Sequence, residues 1–188
     1  MGTAGPSIRD WQPADAAACA AIYAPYVEST TVSFELEPPS ADELTRRFLA
    51  LRSDGFPVLV AEDAGSVVGY AYAGAFRARA AYRPTVEHAV YVDPGRQRGG
   101  VGRVLVESLA ARCRAAGFRG MVAVVGDSAN QRSIAFHQAL GFEVAGILRG
   151  VAWKFGRALD IVMLQRRLDA DAALPDTGSG DPPGRSRP

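Results

Sequence analysis

From Tyr91 to Arg103 the chain reads Tyr-Val-Asp-Pro-Gly-Arg-Gln-Arg-Gly-Gly-Val-Gly-Arg: an extended run that stops at Pro94 and enters a helical pattern through Gly95, Gly99, Gly100 and Gly102. Proline cannot continue a strand ladder, and glycine tolerates the left-handed turns that carry a chain directly from strand into helix. The missing Cβ atoms also let consecutive N–H groups and the positive helix end converge on an anion, to which Arg96, Arg98 and Arg103 add fixed charge. Two common phosphate loops do not fit. The Walker pattern needs a Lys-Ser/Thr ending, and the dinucleotide fingerprint needs G-x-G-x-x-G between parallel strands with a later acidic residue. On these residues alone, a flexible connection with solvated arginines stays open.

The surrounding elements place this loop in a sheet. Ile8 to Trp11 reads as a strand, and Asp15 as the N-cap of a helix over Ala16 to Val27. Ser40-Ala41-Asp42-Glu43 reads as a capping box ahead of Leu44, Phe48 and Leu51 at helical spacing. Pro57 to Glu62 and Val67 to Phe76 flank the turn Asp63-Ala64-Gly65-Ser66, a hairpin signal. Glu87 to Val92 is a further strand. Past the glycine loop, Val104, Leu105, Leu109 and Cys113 line one face of a helix ending near Gly117. Gly120 to Val125 is an apolar strand, Asn130 to Leu140 a helix stopped by Gly141, and Glu143 to Val151 with Ala158 to Arg166 a closing antiparallel pair. Hairpins mixed with strand–helix–strand crossovers predict an α/β (α+β) fold, with one mixed sheet and helices on both faces.

A chain of 188 residues can bury a core without metal or disulfide staples. With 21 basic against 20 acidic residues it lacks the cationic excess of a duplex binder, so no nucleic-acid partner is expected. Cys19 and Cys113 sit in apolar helical surroundings and read as reduced core thiols, and no ligand cluster suggests a metal. No apolar run approaches the length of a membrane span, and the start Met1-Gly2-Thr3-Ala4-Gly5-Pro6 lacks a signal-peptide pattern, so a cytoplasmic protein without a membrane partner is expected. Residues 1–7 are expected to fray, residues 8–169 to form one domain, and residues 170–188, rich in Pro, Gly, Ser and Asp, to form a disordered tail. Lys154 is the one lysine in the chain.

Gln97-Arg98-Gly99-Gly100-Val101-Gly102 resembles the Q/R-x-x-G-x-G/A pyrophosphate motif of the GNAT acetyltransferases. Ser29 to Glu35, Tyr70 to Gly74, Thr85 to Val92 and Phe136 to Phe142 resemble blocks of the phosphinothricin and methionine-sulfoximine acetyltransferase branch, in family order, over about Ile8 to Leu168. The resemblance implies the GNAT fold, a mostly antiparallel twisted sheet of about seven strands. It also implies acetyl-CoA as cofactor, held by Gln97, Arg98, Gly99, Gly100, Val101, Gly102, Arg103 and Asn130, with the backbone of Val90, Tyr91 and Val92 pairing with the pantetheine arm.

Acetylating an amine requires its proton to be removed. Glu87, in an apolar strand beside the cofactor loop, is the expected base, because burial raises a carboxylate's pKa toward the useful range. His88 must face the other way and reads as structural. His137 stands where the wider superfamily carries a tyrosine that protonates the departing thiolate; a capped helix histidine is the alternative. By resemblance Phe34, Glu35, Arg77, Arg79, Tyr82 and Thr85 face the amino-acid acceptor, and Lys154 matches a lysine that contributes from a neighbouring subunit, which implies a homodimer. Arg83-Pro84 departs from the aspartate-tryptophan of the herbicide-resistance enzymes and is closer to general L-amino-acid acetyltransferases. The expected acceptor is therefore phosphinothricin, methionine sulfoximine or sulfone, or a similar L-amino acid. Alternatives are another amine (a polyamine, an aminoglycoside or a protein N-terminus) and a non-catalytic coenzyme-A-binding module.

Overall fold

A computed structural model describes residues 5–169. The expected tail 170–188 and the first four residues lie outside that range. Seven strands, β1 (Ser7–Asp10), β2 (Val58–Asp63), β3 (Ser66–Ala75), β4 (Thr85–Val92), β5 (Gly120–Gly126), β6 (Glu143–Lys154) and β7 (Arg157–Arg167), form one sheet in the order β1-β2-β3-β4-β5-β7-β6. Four α-helices, α1 (Ala16–Ser29), α2 (Ala41–Ser53), α3 (Val101–Ala115) and α4 (Gln131–Gln138), complete the expected order of elements. Ser7, placed with the frayed head by the sequence, already pairs with Glu62.

Alternation along the strands separates two cores. Tyr70, Val58 and Val60 pack with Trp11, Cys19, Tyr23, Leu44 and Phe48 of the α1/α2 side. Ala71, Val86, Met121 and Leu164 pack with Leu105, Leu109, Ile134 and Phe142 of the α3/α4 side. Period-two alternation assigns neighbours on one strand to opposite cores. Both cysteines are buried and free, and burial pushes each thiol up to about 12, which makes them inert packing groups. No helix among the described residues is long and apolar enough to cross a membrane.

Two expected caps take a different form. Ser40 Oγ accepts from the Glu43 N–H at 3.2 Å, but the Glu43 carboxylate turns outward to Arg46 and Arg47, so only half of the capping box is made. Asp15 occupies the N-cap position of α1 as expected, but its side chain gives that helix no capping bond; it closes a 3-10 turn by accepting from the Gln12 N–H at 2.8 Å and holds the Arg9 guanidinium at 2.7 Å. A paired cation within reach outcompetes the helix end for its carboxylate.

The feature that positions the site is the β4–β5 junction. All other strand pairs are antiparallel; β4 and β5 run parallel and pair only from Thr85↔Gly120 to His88↔Ala123. Beyond that point β4 stays on β3 through Val92 and β5 stays on β7 through Gly126, so the two splay into a V. The β4 edge facing β5 then presents backbone groups without a ladder partner over residues 89–92.

Candidate active site

The V opens a cleft of about 810 Å³ that passes from one face of the sheet to the other. Residues 89–92 of β4 and 123–126 of β5 form its walls. At the α3 end Asp93 accepts from the Gly95 N–H at 2.8 Å and turns the chain after the strand. Arg98 (φ 69°) and Gly100 (φ 81°) are left-handed, the geometry that points successive amides into one concavity. Gly100 is the N-cap of α3 and supplies no side-chain acceptor, so the first N–H groups of this fifteen-residue helix are uncapped. Arg96, Arg98, Arg103 and Arg132 line this end. Gln97 donates to Tyr26 Oη at 2.8 Å, and the same hydroxyl donates to the Val92 carbonyl, tying the loop to α1. The Arg96 guanidinium is held by Asp63 at 3.0 Å. An uncapped helix start, a left-handed glycine and the guanidinium groups of Arg98, Arg103 and Arg132 fit a diphosphate, and the open β4 edge fits an amide-bearing arm.

The other end is lined by Tyr23, Ser33, Phe34, Glu35, Tyr72 and Glu87. Glu87 pairs across to Gly74 and Val122, half-buried at the base of the V. Its pKa lies above the ordinary carboxylate value through burial, and no cation among the described residues offsets it. Glu35 differs: Arg47 holds it at 2.7 Å and the Tyr23 hydroxyl donates to it at 3.3 Å. His137, on α4, is buried with Nδ1 2.7 Å from the Ser133 carbonyl. A carbonyl only accepts, so Nδ1 carries the proton and the neutral ring keeps its lone pair on Nε2. Burial holds the ring below its usual pKa, the Ser133 bond opposing in part. His88 does face away from Glu87, but that side holds His137, with ring centroids 5.3 Å apart.

The structure thus brings Glu87, His137, Val90, Tyr91, Val92, Gln97, Arg98, Gly100, Val101, Gly102, Arg103, Asn130, Phe34 and Glu35 to one cleft. Asn130 also caps α4, accepting from the Ser133 N–H at 3.2 Å. Gly99 supplies turn geometry and does not line the wall. Five expected acceptor residues do not line it either. The β3–β4 loop closes on itself, with the Arg77 guanidinium over the rings of Phe76 and Tyr82 at 5.3 and 5.9 Å, and Arg79 lies in the same loop. Thr85 lies beside Gly120, and a Cβ there would sit 3.2 Å from its hydroxyl. Lys154 is 4% exposed and spends its three donors on backbone carbonyls of its own chain, which corrects the expectation of a substrate contact. Tyr23, Tyr26, Tyr72 and Arg132 were not singled out by sequence; Tyr72, alternating with Tyr70 on a strand, carries the one local signal.

Residues 8–163 match the family described as Acetyltransferase (GNAT) domain. A phosphinothricin N-acetyltransferase of Alcaligenes faecalis is 46% identical over 163 residues, covering 86% of this chain and 83% of that protein. An L-methionine sulfoximine/L-methionine sulfone acetyltransferase of Pseudomonas paraeruginosa is 41% identical, covering 90% of this chain and 98% of that one. The crystal structure of a GNAT superfamily phosphinothricin acetyltransferase from Sinorhizobium meliloti in complex with AcCoA superimposes with a TM-score of 0.85 at 41% identity, over 93% of this chain and 95% of that one. With an uncapped helix start, a splayed parallel pair and these similarities together, the chain belongs to the GNAT acetyltransferase family.

Proposed function

We propose that this protein is an acetyl-CoA-dependent N-acetyltransferase that acetylates the amino group of a small amino-acid-like acceptor such as phosphinothricin or methionine sulfoximine or sulfone. The observation that carries the reading is Glu87: a half-buried carboxylate without a cation, at the base of a cleft whose far end is the uncapped start of α3. Acetyl-CoA supplies an activated acetyl thioester. The chain supplies the rest. The amides of Val101, Gly102 and Arg103 with the loop arginines hold the diphosphate, and the open β4 edge at 89–92 holds the arm and offers a donor to the developing oxyanion.

Glu87 takes the proton that keeps an acceptor ammonium from attacking, directly or through water; its raised pKa makes it a stronger base than an exposed carboxylate. With its lone pair on Nε2, His137 accepts before it can donate. It would take the second nitrogen proton as the amide C–N bond forms and give that proton to the departing sulfur, while the first proton stays on Glu87 until solvent removes it and restores the carboxylate. Arg77 and Arg79 do not line the cleft in this conformation, but their loop leaves the sheet one residue pair beyond Glu87, and its movement on acceptor binding would bring them to the acceptor's acidic end. A second copy of the chain covers the exposed apolar residues of β6, giving a homodimer, and the two free thiols suit the reducing cytoplasm.

The test is release of free thiol from acetyl-CoA with a panel of methionine sulfoximine, methionine sulfone, phosphinothricin, a polyamine and an aminoglycoside. Turnover is expected with the first three. Glu87→Gln is expected to lower kcat on the order of a hundred-fold or more at neutral pH while leaving the coenzyme A Kd unchanged. Wild-type turnover in Glu87→Gln would remove it as the base, and coenzyme A binding without thiol release would favour a binding module.

A further inference from the structure

The acceptor end of the cleft is walled by residues 32–35, a segment without helix or strand that carries Val32 and Phe34 more than one-third exposed. Nothing in a regular ladder holds it. What holds it is a cage: Lys154 Nζ donates to the Val27 carbonyl at 2.6 Å, the Thr30 carbonyl at 3.1 Å and the Ser33 carbonyl at 2.7 Å. Val27 lies in the last turn of α1, where carbonyls lack intrahelical partners and the helix dipole favours a cation. Thr30 is that helix's C-cap and Ser33 is already in the cleft wall. One ammonium therefore fixes the angle at which the segment leaves α1.

From Ser33 the fixation passes to the cleft. Ser33 Oγ bonds the Tyr23 hydroxyl at 2.6 Å and accepts from the Glu35 N–H at 3.1 Å, and Tyr23 and Glu35 both line the acceptor end. The residue type is informative. The chain uses arginine for every other one of its 21 basic side chains and lysine only here. Three carbonyls converging on a point suit the compact ammonium with its three donors, whereas a planar guanidinium spreads its donors in a fork. The turn that presents Lys154 is built at a cost, because Phe155 has φ 51°, a left-handed value unfavourable for a bulky residue, ahead of Gly156 at 73°. That turn places the Phe155 ring 5.0 Å from the ammonium.

We propose that Lys154 is a positioning residue for the acceptor half of the site, holding residues 30–35 in the conformation that admits the amine. The assignment rests on the proposed acetyltransferase reading for what the segment admits, but the cage itself can be read without turnover. The experiment compares wild type with K154M and K154R by amide hydrogen–deuterium exchange, by coenzyme A calorimetry and by steady-state kinetics. Exchange in peptides covering 30–36 is expected to accelerate in both variants while peptides covering 95–105 and the coenzyme A Kd stay as in wild type. The acceptor KM is expected to rise by on the order of ten- to a hundred-fold, with the acetyl-CoA KM little changed.

K154R keeps the charge and carries the comparison where K154M is too unstable to purify. Unchanged exchange at 30–36, or a lowered Tm with wild-type acceptor KM, makes Lys154 a stabilising residue only and overturns the proposal. A wild type that binds coenzyme A and acetylates none of the panel sinks the functional reading alone, and the exchange result still decides the cage.

Discussion

His88 carries two ring nitrogens that no group among the described residues meets, in a residue only 6% exposed and against His137 and Phe142. Burial, and secondarily the neighbouring His137, lowers its pKa from 6.5 to about 3. The folded state therefore keeps the ring neutral, whereas the unfolded chain takes up a proton below pH 6.5. The contribution to stability is complete above that pH and is lost as the pH falls toward about 3. Between pH 7 and pH 5 the loss from this ring is about 2 kcal/mol. Leucine at this position removes both the titration and the unmet polar atoms. Urea unfolding is thus expected to show His88→Leu at least as stable as wild type at pH 7, and about 2 kcal/mol less acid-sensitive between pH 7 and pH 5. His137, shifted in the same direction, remains in both proteins, so an equal acid loss in the two would mean that His88 is hydrated and titrates normally. Sequence alternation alone set His88 opposite Glu87. That the opposite side holds His137, 49 residues further on, is a tertiary fact that no local pattern encodes.

At the level of elements, what was legible is what has a period or a cap. The hairpin turn Asp63 to Ser66 and the glycine loop recur where turn and glycine chemistry put them, and Leu105, Leu109 and Cys113 of α3 are buried as their spacing predicts, but Val104, assigned to the same face, is 40% exposed, and Val101, Val106 and Ala110 complete the buried side. The acceptor segment after α1 has neither period nor cap, and its anchors come from far along the chain: Lys154 from the β6–β7 turn, Asp127 from the end of β5, and the bare backbone of Gly126. Asp127 accepts from the Thr31 hydroxyl at 3.3 Å and from the Arg157 guanidinium. Gly126 is the sharpest of these constraints, because a Cβ there would lie 2.3 Å from the Thr31 carbonyl oxygen and 3.0 Å from the Phe34 ring. Backbone cannot yield as a side-chain tip does. Gly126→Ala is therefore expected to cost about 1–3 kcal/mol and to raise the acceptor KM, with coenzyme A affinity preserved. A thermal melt and acceptor kinetics check this together; an unchanged Tm would mean that the segment does not pack on β5 in solution.

On the scale of the whole molecule the two edges of the sheet are unlike. β1 is four residues long, and its Arg9 is engaged by Asp15 and Glu62, a short charged edge of the kind that resists pairing with another chain. β6 is twelve residues long and leaves Val144, Ile147, Leu148, Val151 and Trp153 between 42% and 70% exposed, with Phe155 following at 56%. An apolar row of that extent, about 40 Å at the usual rise per residue, reaches the dimension of a standard protein interface. A second copy is the occupant the chain can always supply, and a twofold arrangement would let each row meet its own counterpart. The hairpin tip that supplies Lys154 lies within this row, between Trp153 and Phe155, so the proposed dimer face and the proposed acceptor brace share one element. Sedimentation velocity is expected to give twice the 19.9 kDa chain mass in the micromolar range, and the pair Leu148→Lys and Val151→Lys to give the single chain with an unchanged far-UV spectrum. A wild type that sediments as one chain throughout that range would exclude the homodimer and leave the β6 row to another partner. A monomeric double variant that also loses acceptor affinity while keeping coenzyme A affinity would place the cause in the shared hairpin, since neither substituted side chain lines the cleft.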